Sequence, residues 1–242
     1  MRVDAEAGFV LHSSPYSETS LLVDLFTKNH GRIRCVAKGF RKPNKRGISR
    51  VMFPYTEHQF SWQGRGDLKT LTQADAIKTP AFLTEVCLFT GLYVNELLYR
   101  LLPEYDPHVY LYQHYSTFML RLATEGSDEL MLRHLEMALL DELGYGLVLD
   151  SEVVHGTAVK AGKLYRYMPE QGLIELSSHH TQVPGVYLGE DILGLIVGDF
   201  SQRSVMKTAK QLLRGVINFY LGGRQLHSRE LYRQYLLSRA PK

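Results

Sequence analysis

From Gly8 to Ile77 the apolar residues fall in short runs bounded by turn residues, the pattern of half-buried strands. Gly8–Ser13 is apolar and closes at Ser14-Pro15. Thr19–Phe26 sets Leu21, Val23 and Leu25 on one face, and His30-Gly31 reads as a turn. Residues 32–38 then alternate, with Arg32, Arg34 and Lys38 on one face and Ile33, Cys35 and Ala37 on the other. A segment from Val51 to Trp62 ends at Gly64-Arg65-Gly66, and Leu68–Ile77 supplies a further strand. Five short strands with turns at this spacing predict a small barrel or sandwich.

Beyond Thr79-Pro80 the period lengthens. Phe82, Val86, Phe89, Tyr93, Leu97 and Leu101 form one helical stripe that stops at Pro103. His108–Ala123 and Asp128–Leu143 continue as helices, the second with Ser127 as its cap and Gly144-Tyr145-Gly146 as its stop. Residues 147–186 lose the period and hold strand-like pieces at Lys163–Met168 and Gly172–Leu176. Helix returns at Arg203–Leu221, halts at Gly222-Gly223 and resumes over Ser228–Leu237. The fold class expected is α+β, with a strand domain over 1–79 and a helical domain over 80–242. Within the latter, 147–186 is an irregular insertion and 203–242 forms basic C-terminal helices.

The apolar fraction of 45% suffices for a core, and no apolar run nears the ~20 residues needed to span a bilayer. The first residues lead into no apolar signal region, and two cysteines, Cys35 and Cys87, make neither a disulfide framework nor a four-ligand zinc site. A reducing, cytoplasmic setting is expected. The net charge of +3 hides a strong asymmetry. Residues 1–80 carry net +6, residues 81–199 net −11, and residues 200–242 net +8. Two basic ends around an acidic middle suit binding of a polyanion, although the ends can also neutralise the middle within the folded chain.

Enzyme motifs are missing. No phosphate loop, dinucleotide fingerprint, Gly-x-Ser-x-Gly elbow or His-Glu-x-x-His is present. Asp141-Glu142 point in different directions on one helix and read as a solvated face, and the pair His179-His180 as exposed loop residues. No cofactor is expected.

The basic tract carries more information. Residues 28–50 contain nine Lys and Arg and no acid. Arg32, Arg34, Lys38, Arg41, Lys42, Lys45 and Arg46 are the candidate contacts to a nucleic-acid backbone, because cations this dense repel one another until a polyanion relieves them. Tyr16 and Phe40 are candidate stacking platforms, or else members of the core. A second stripe, Arg203, Lys207, Lys210 and Arg214, follows helical spacing with apolar residues opposite. It faces either the acidic middle of the chain or an external anion.

These landmarks together resemble the RecO family of bacterial recombination mediators. The opening Phe9-Val10-Leu11-His12-Ser13-Ser14-Pro15-Tyr16-Ser17-Glu18-Thr19-Ser20 is similar to the family's first strand and turn. Gly31-Arg32-Ile33-Arg34 with Val36-Ala37-Lys38-Gly39, Gly91–Leu98, Leu139–Gly146 and Tyr220-Leu221-Gly222-Gly223 with Ser228-Arg229-Glu230-Leu231 follow in the family's order. The resemblance implies an N-terminal OB-fold barrel, a helical domain and no catalysis. It further implies binding and annealing of single- and double-stranded DNA, partnership with RecR, loading of RecA onto DNA coated by single-strand-binding protein, and capture of that protein's acidic C-terminal tail. RecF is a further candidate partner. For the tail, Arg121, Leu132, Arg133 and Leu135 are candidates, with a local ion pair of Arg133 to Glu129 or Glu136 as the competing reading. Many family members hold zinc through four cysteines after the Gly-Tyr-Gly turn; residues 147–186 here contain none, so zinc is not carried over. An RNA-binding OB protein and a protein-interaction adaptor remain the alternatives.

Overall fold

The alternating segments form five strands, β1 (Arg2–Pro15), β2 (Leu21–Thr27), β3 (Gly31–Ala37), β4 (His58–Gln63) and β5 (Lys69–Ala76), closed into a barrel of order β1-β2-β3-β5-β4. All pairs are antiparallel except β3 with β5, joined in parallel through Cys35–Lys69 and Ala37–Leu71, which makes the OB-type barrel. A computed structural model describes residues 2–41, 52–177 and 185–239. Inward positions are apolar as the alternation requires: Val23, Leu25, Ile33, Cys35, Phe60 and Trp62 are sealed from solvent. Each such side chain contributes about 1.5–3 kcal/mol by burial.

The barrel belongs to a unit formed by Met1–Ser127 together with Leu226–Lys242. In it, helices α1 (Glu85–Leu101) and α2 (Val109–Thr124) lie on the outer face of β1 and β2. Phe9 and Phe26 are buried there against Tyr112 and Tyr115. A bulge between Val10 and His12 leaves carbonyls to satisfy, and Asn95 donates to Val10 O at 3.2 Å and Leu11 O at 3.3 Å. The α1 stripe differs from the sequence reading. Val94, Leu97 and Leu98 are its buried large apolar positions, whereas Phe82 lies ahead of the helix and is 77% exposed. Phe89 and Tyr93 serve a second face, against which Arg229, Tyr232 and Tyr235 from the far end of the chain pack.

The second unit, Asp128–Gln225, holds α3 (Glu129–Glu142), β6 (Leu164–Met168), β7 (Gly172–Leu176), β8 (Val186–Leu188), α4 (Gly189–Val197) and α5 (Arg203–Tyr220). Asp128, not Ser127, caps α3, its carboxylate accepting from Leu130 N at 3.1 Å. Ser127 instead bonds the Thr90 hydroxyl at 3.0 Å within the first unit. The cysteine-free insertion is a three-stranded sheet of order β7-β6-β8, sealed by Leu164, Tyr165, Leu173 and Tyr187. Helix α4 is too short to announce itself by period. Val205, Ala209, Leu212, Leu213 and Val216 of α5 are buried, and the chain then leaves for α6 (His227–Arg239) in the first unit. Among the described residues no helix is long and apolar enough to cross a membrane, and no three metal-ligating side chains gather.

Candidate nucleic-acid interface

In the first unit the candidate residues divide into two environments. At one end of the barrel, the β1–β2 turn and the segment after β3 come together. Arg41 N donates to Thr19 O at 3.1 Å, and Arg41 Nη1 to Ser17 O at 2.5 Å. Tyr16 in that turn is 56% exposed, and Lys38 and Arg41 are exposed beside it. Phe40 points the other way and is buried in the barrel core. Lys42, Lys45 and Arg46 lie outside the described residues, as do His179 and His180.

Arg32 and Arg34 stand apart from that end. They project from β3 toward Asp24 on β2, which lies directly across from Arg34 and diagonal to Arg32, rather than into open solvent. Arg32 Nη1 donates to Asp24 Oδ1 at 2.9 Å and Arg34 Nε to the same oxygen at 3.0 Å. Glu104, in the connection from α1 to α2, lies 3.2 Å from Arg32 Nη1 and 3.9 Å from Arg34 Nη1. The Arg32 side chain is 12% exposed and that of Arg34 35%. Partial burial pulls the Arg34 guanidinium down, but Asp24 and Glu104 outweigh it and hold the group above its usual value. Two guanidiniums and two carboxylates thus balance locally. The strand alternation announces the arginines; Asp24, 8 positions from Arg32, and Glu104, in the connection after α1, carry no comparable local signal.

In the second unit, Arg203, Lys207, Lys210 and Arg214 all stand on the solvent face of α5. Lys210 Nζ pairs with Glu129 Oε1 at 2.8 Å. Among the described residues the other three make no ion pair. The apolar half of the same helix, from Val205 to Ile217, is fully used in packing, so these cations are the outward side of a docked amphipathic helix.

The tail candidates have different surroundings. Arg121, on α2 of the first unit, is exposed and paired with Glu125 at 2.9 Å. On α3 of the second unit Arg133 is buried and paired with Glu136 at 2.8 Å, the local ion pair among the two readings of the sequence. Leu135 is buried next to it and Leu132 half-buried.

The chain matches two family models, Recombination protein O N terminal over residues 1–80 and Recombination protein O C terminal over residues 88–230. It is 40% identical over 228 residues to the DNA repair protein RecO of Pseudomonas paraeruginosa strain PA7, covering 94% of each chain. The protein of the same name from Actinobacillus pleuropneumoniae is 40% identical over 232 residues, 95% of this chain and 94% of the relative. That of Azoarcus sp. strain BH72 is 38% identical over 237 residues, 97% of both.

Proposed function

This chain belongs to the recombination protein O family and serves recombinational DNA repair, and on that premise we propose that it is a non-enzymatic mediator that binds DNA strands and anneals them. Its partners in this reading are RecR, RecA, which it helps to load onto DNA coated by single-strand-binding protein, that protein's acidic tail, and RecF; its compartment is the bacterial cytoplasm. The observation that carries the reading is the outward face of α5, where Arg203, Lys207 and Arg214 are exposed beside a fully packed apolar face. Cations held this way neutralise phosphates without first breaking an internal pair. Tyr16, Lys38 and Arg41 at the barrel end add a stacking ring and further charge in the other unit. Annealing is slow because two polyanions repel, and a protein that presents cations from each unit lowers that repulsion.

The test is annealing of complementary oligonucleotides coated with single-strand-binding protein, with no nucleotide and no metal added. Replacing Arg203, Lys207 and Arg214 together by Gln should slow annealing and flatten the dependence of log affinity on log salt by about 2, at ~0.7 per phosphate contact on single strands. An unchanged slope and an unchanged annealing rate would refute the α5 surface. Competition by a matched RNA oligomer separates this reading from an RNA-binding one.

A further inference from the structure

Around Arg32 and Arg34 the fold builds a small, ordered electrostatic site. The registers of β1, β2 and β3 place His12, Asp24 and Arg34 side by side on the outer face of the barrel. Asp24 is the anchor: its side chain is 2% exposed and one oxygen receives both arginines. Arg32 is fixed further, with Nε donating to Leu102 O at 3.0 Å and its guanidinium 5.7 Å from the centroid of the Tyr99 ring. The connection from α1 to α2 follows β3 like a short added strand. Glu104 bridges to Arg32, and Tyr105 N donates to Arg32 O at 3.1 Å.

Burial separates the two acids. Asp24 is sealed from solvent beside the arginines, whereas the Glu104 side chain is 29% exposed. Two guanidiniums presenting outer nitrogens to one oxyanion is the geometry in which arginines take a phosphate. The carboxylate of Glu104 stands where such an oxyanion would sit.

We propose that Arg32 and Arg34 form a phosphate site on the barrel, preorganised by Asp24, which Glu104 occupies until a backbone phosphate of a nucleic-acid strand displaces it. The inference rests on the nucleic-acid reading above and deepens it. A free phosphate competes poorly with a carboxylate tethered beside the arginines. A strand already held by other cations of the chain offers its phosphates at high local concentration and displaces it. The site thereby selects polymer over small anions.

The experiment compares the full chain with Glu104→Gln, using a labelled single-stranded oligonucleotide and fluorescence anisotropy over a range of salt. Glu104→Gln should bind about three- to fivefold more tightly, the scale of one exposed ion pair. Its salt slope should steepen by about 0.7 as one more phosphate is neutralised. Adding Arg34→Gln to that variant should cancel the gain, and Glu125→Gln, which removes an equal charge at the end of α2, should not reproduce it. If Glu104→Gln lowers the unfolding midpoint, Glu104→Ser opens the same site and is read in the same way. Equal affinity and slope for the wild-type chain and the variant would overturn the proposal while leaving DNA binding standing. A gain that survives Arg34→Gln, or that Glu125→Gln matches, would overturn it as well. Absence of binding by every form would overturn both this site and the function it rests on.

Discussion

At the scale of single residues, His58 shows how burial sets a protonation state. It is wholly buried, and its Nε2 accepts from Phe53 N at 3.3 Å. Nδ1 must therefore carry the proton and donate to Thr56 O, 2.8 Å away. Burial pulls the imidazole below its usual 6.5, while the Thr56 carbonyl and Asp75 push back less. The unfolded chain then takes up the proton first on acidification. The contribution of neutral His58 is complete above its ordinary value and is lost as pH falls beneath it. His58→Gln should therefore shrink the drop in thermal midpoint between about pH 7 and about pH 5 relative to the wild-type chain. Parallel drops in the two proteins would show that His58 does not titrate in this way. Phe40 makes a related point: its sequence context left stacking and core open, and only the closing of the barrel buried it.

At the scale of elements, the amphipathic α5 was legible from its spacing, because both its faces are encoded within five turns of one helix. The insertion was not. There, a carboxylate closes the loop after Ser151: Glu152, 1% exposed, accepts from Val154 N at 2.8 Å and His155 N at 2.6 Å. Burial pushes Glu152 up, but the amides of Val154, His155 and Thr157, with His155 itself, hold it below its usual 4.5. The loop should keep its order above that usual value and lose it as pH falls through the lowered one. Glu152→Gln should speed amide hydrogen exchange across residues 153–157 at neutral pH without altering exchange in the barrel. Protection identical to the wild-type chain would remove Glu152 from this role. The strand pieces were visible as apolar runs, whereas their order β7-β6-β8 depends on β8 pairing across an interval that holds no local period.

At the scale of the whole molecule, the first unit is discontinuous, for its last helix comes from the far end of the chain. Glu96 on α1 accepts from His227 N at 2.9 Å, Ser228 N at 2.8 Å and Ser228 Oγ at 2.7 Å, so a side chain of one helix caps the start of the other. Phe89 packs against Tyr232 and Tyr235 at 5.3 and 4.7 Å between ring centroids. A chain ending at residue 225 should lose roughly 2–4 kcal/mol in the barrel-containing unit, since this apolar face and these bonds return to water. Trp62, the one tryptophan of the sequence and fully buried in the barrel, reports that unit by fluorescence during urea unfolding. An unshifted midpoint would mean that α6 adds no stability there.

What the amino-acid order determined by itself was everything with a short repeat: the strand alternation, the helical stripes, the switch from one to the other near Pro80, and the collection of charge at the two ends. Such patterns are local because a strand or helix face is written within a dozen residues. Tertiary structure decided which of those charges face outward. Whether an arginine on β3 is surplus depends on Glu104 arriving from the connection between two helices, and whether Phe89 is covered depends on a helix more than a hundred residues later. Pairings over such separations follow from how the chain closes on itself, and no periodicity along it can record them.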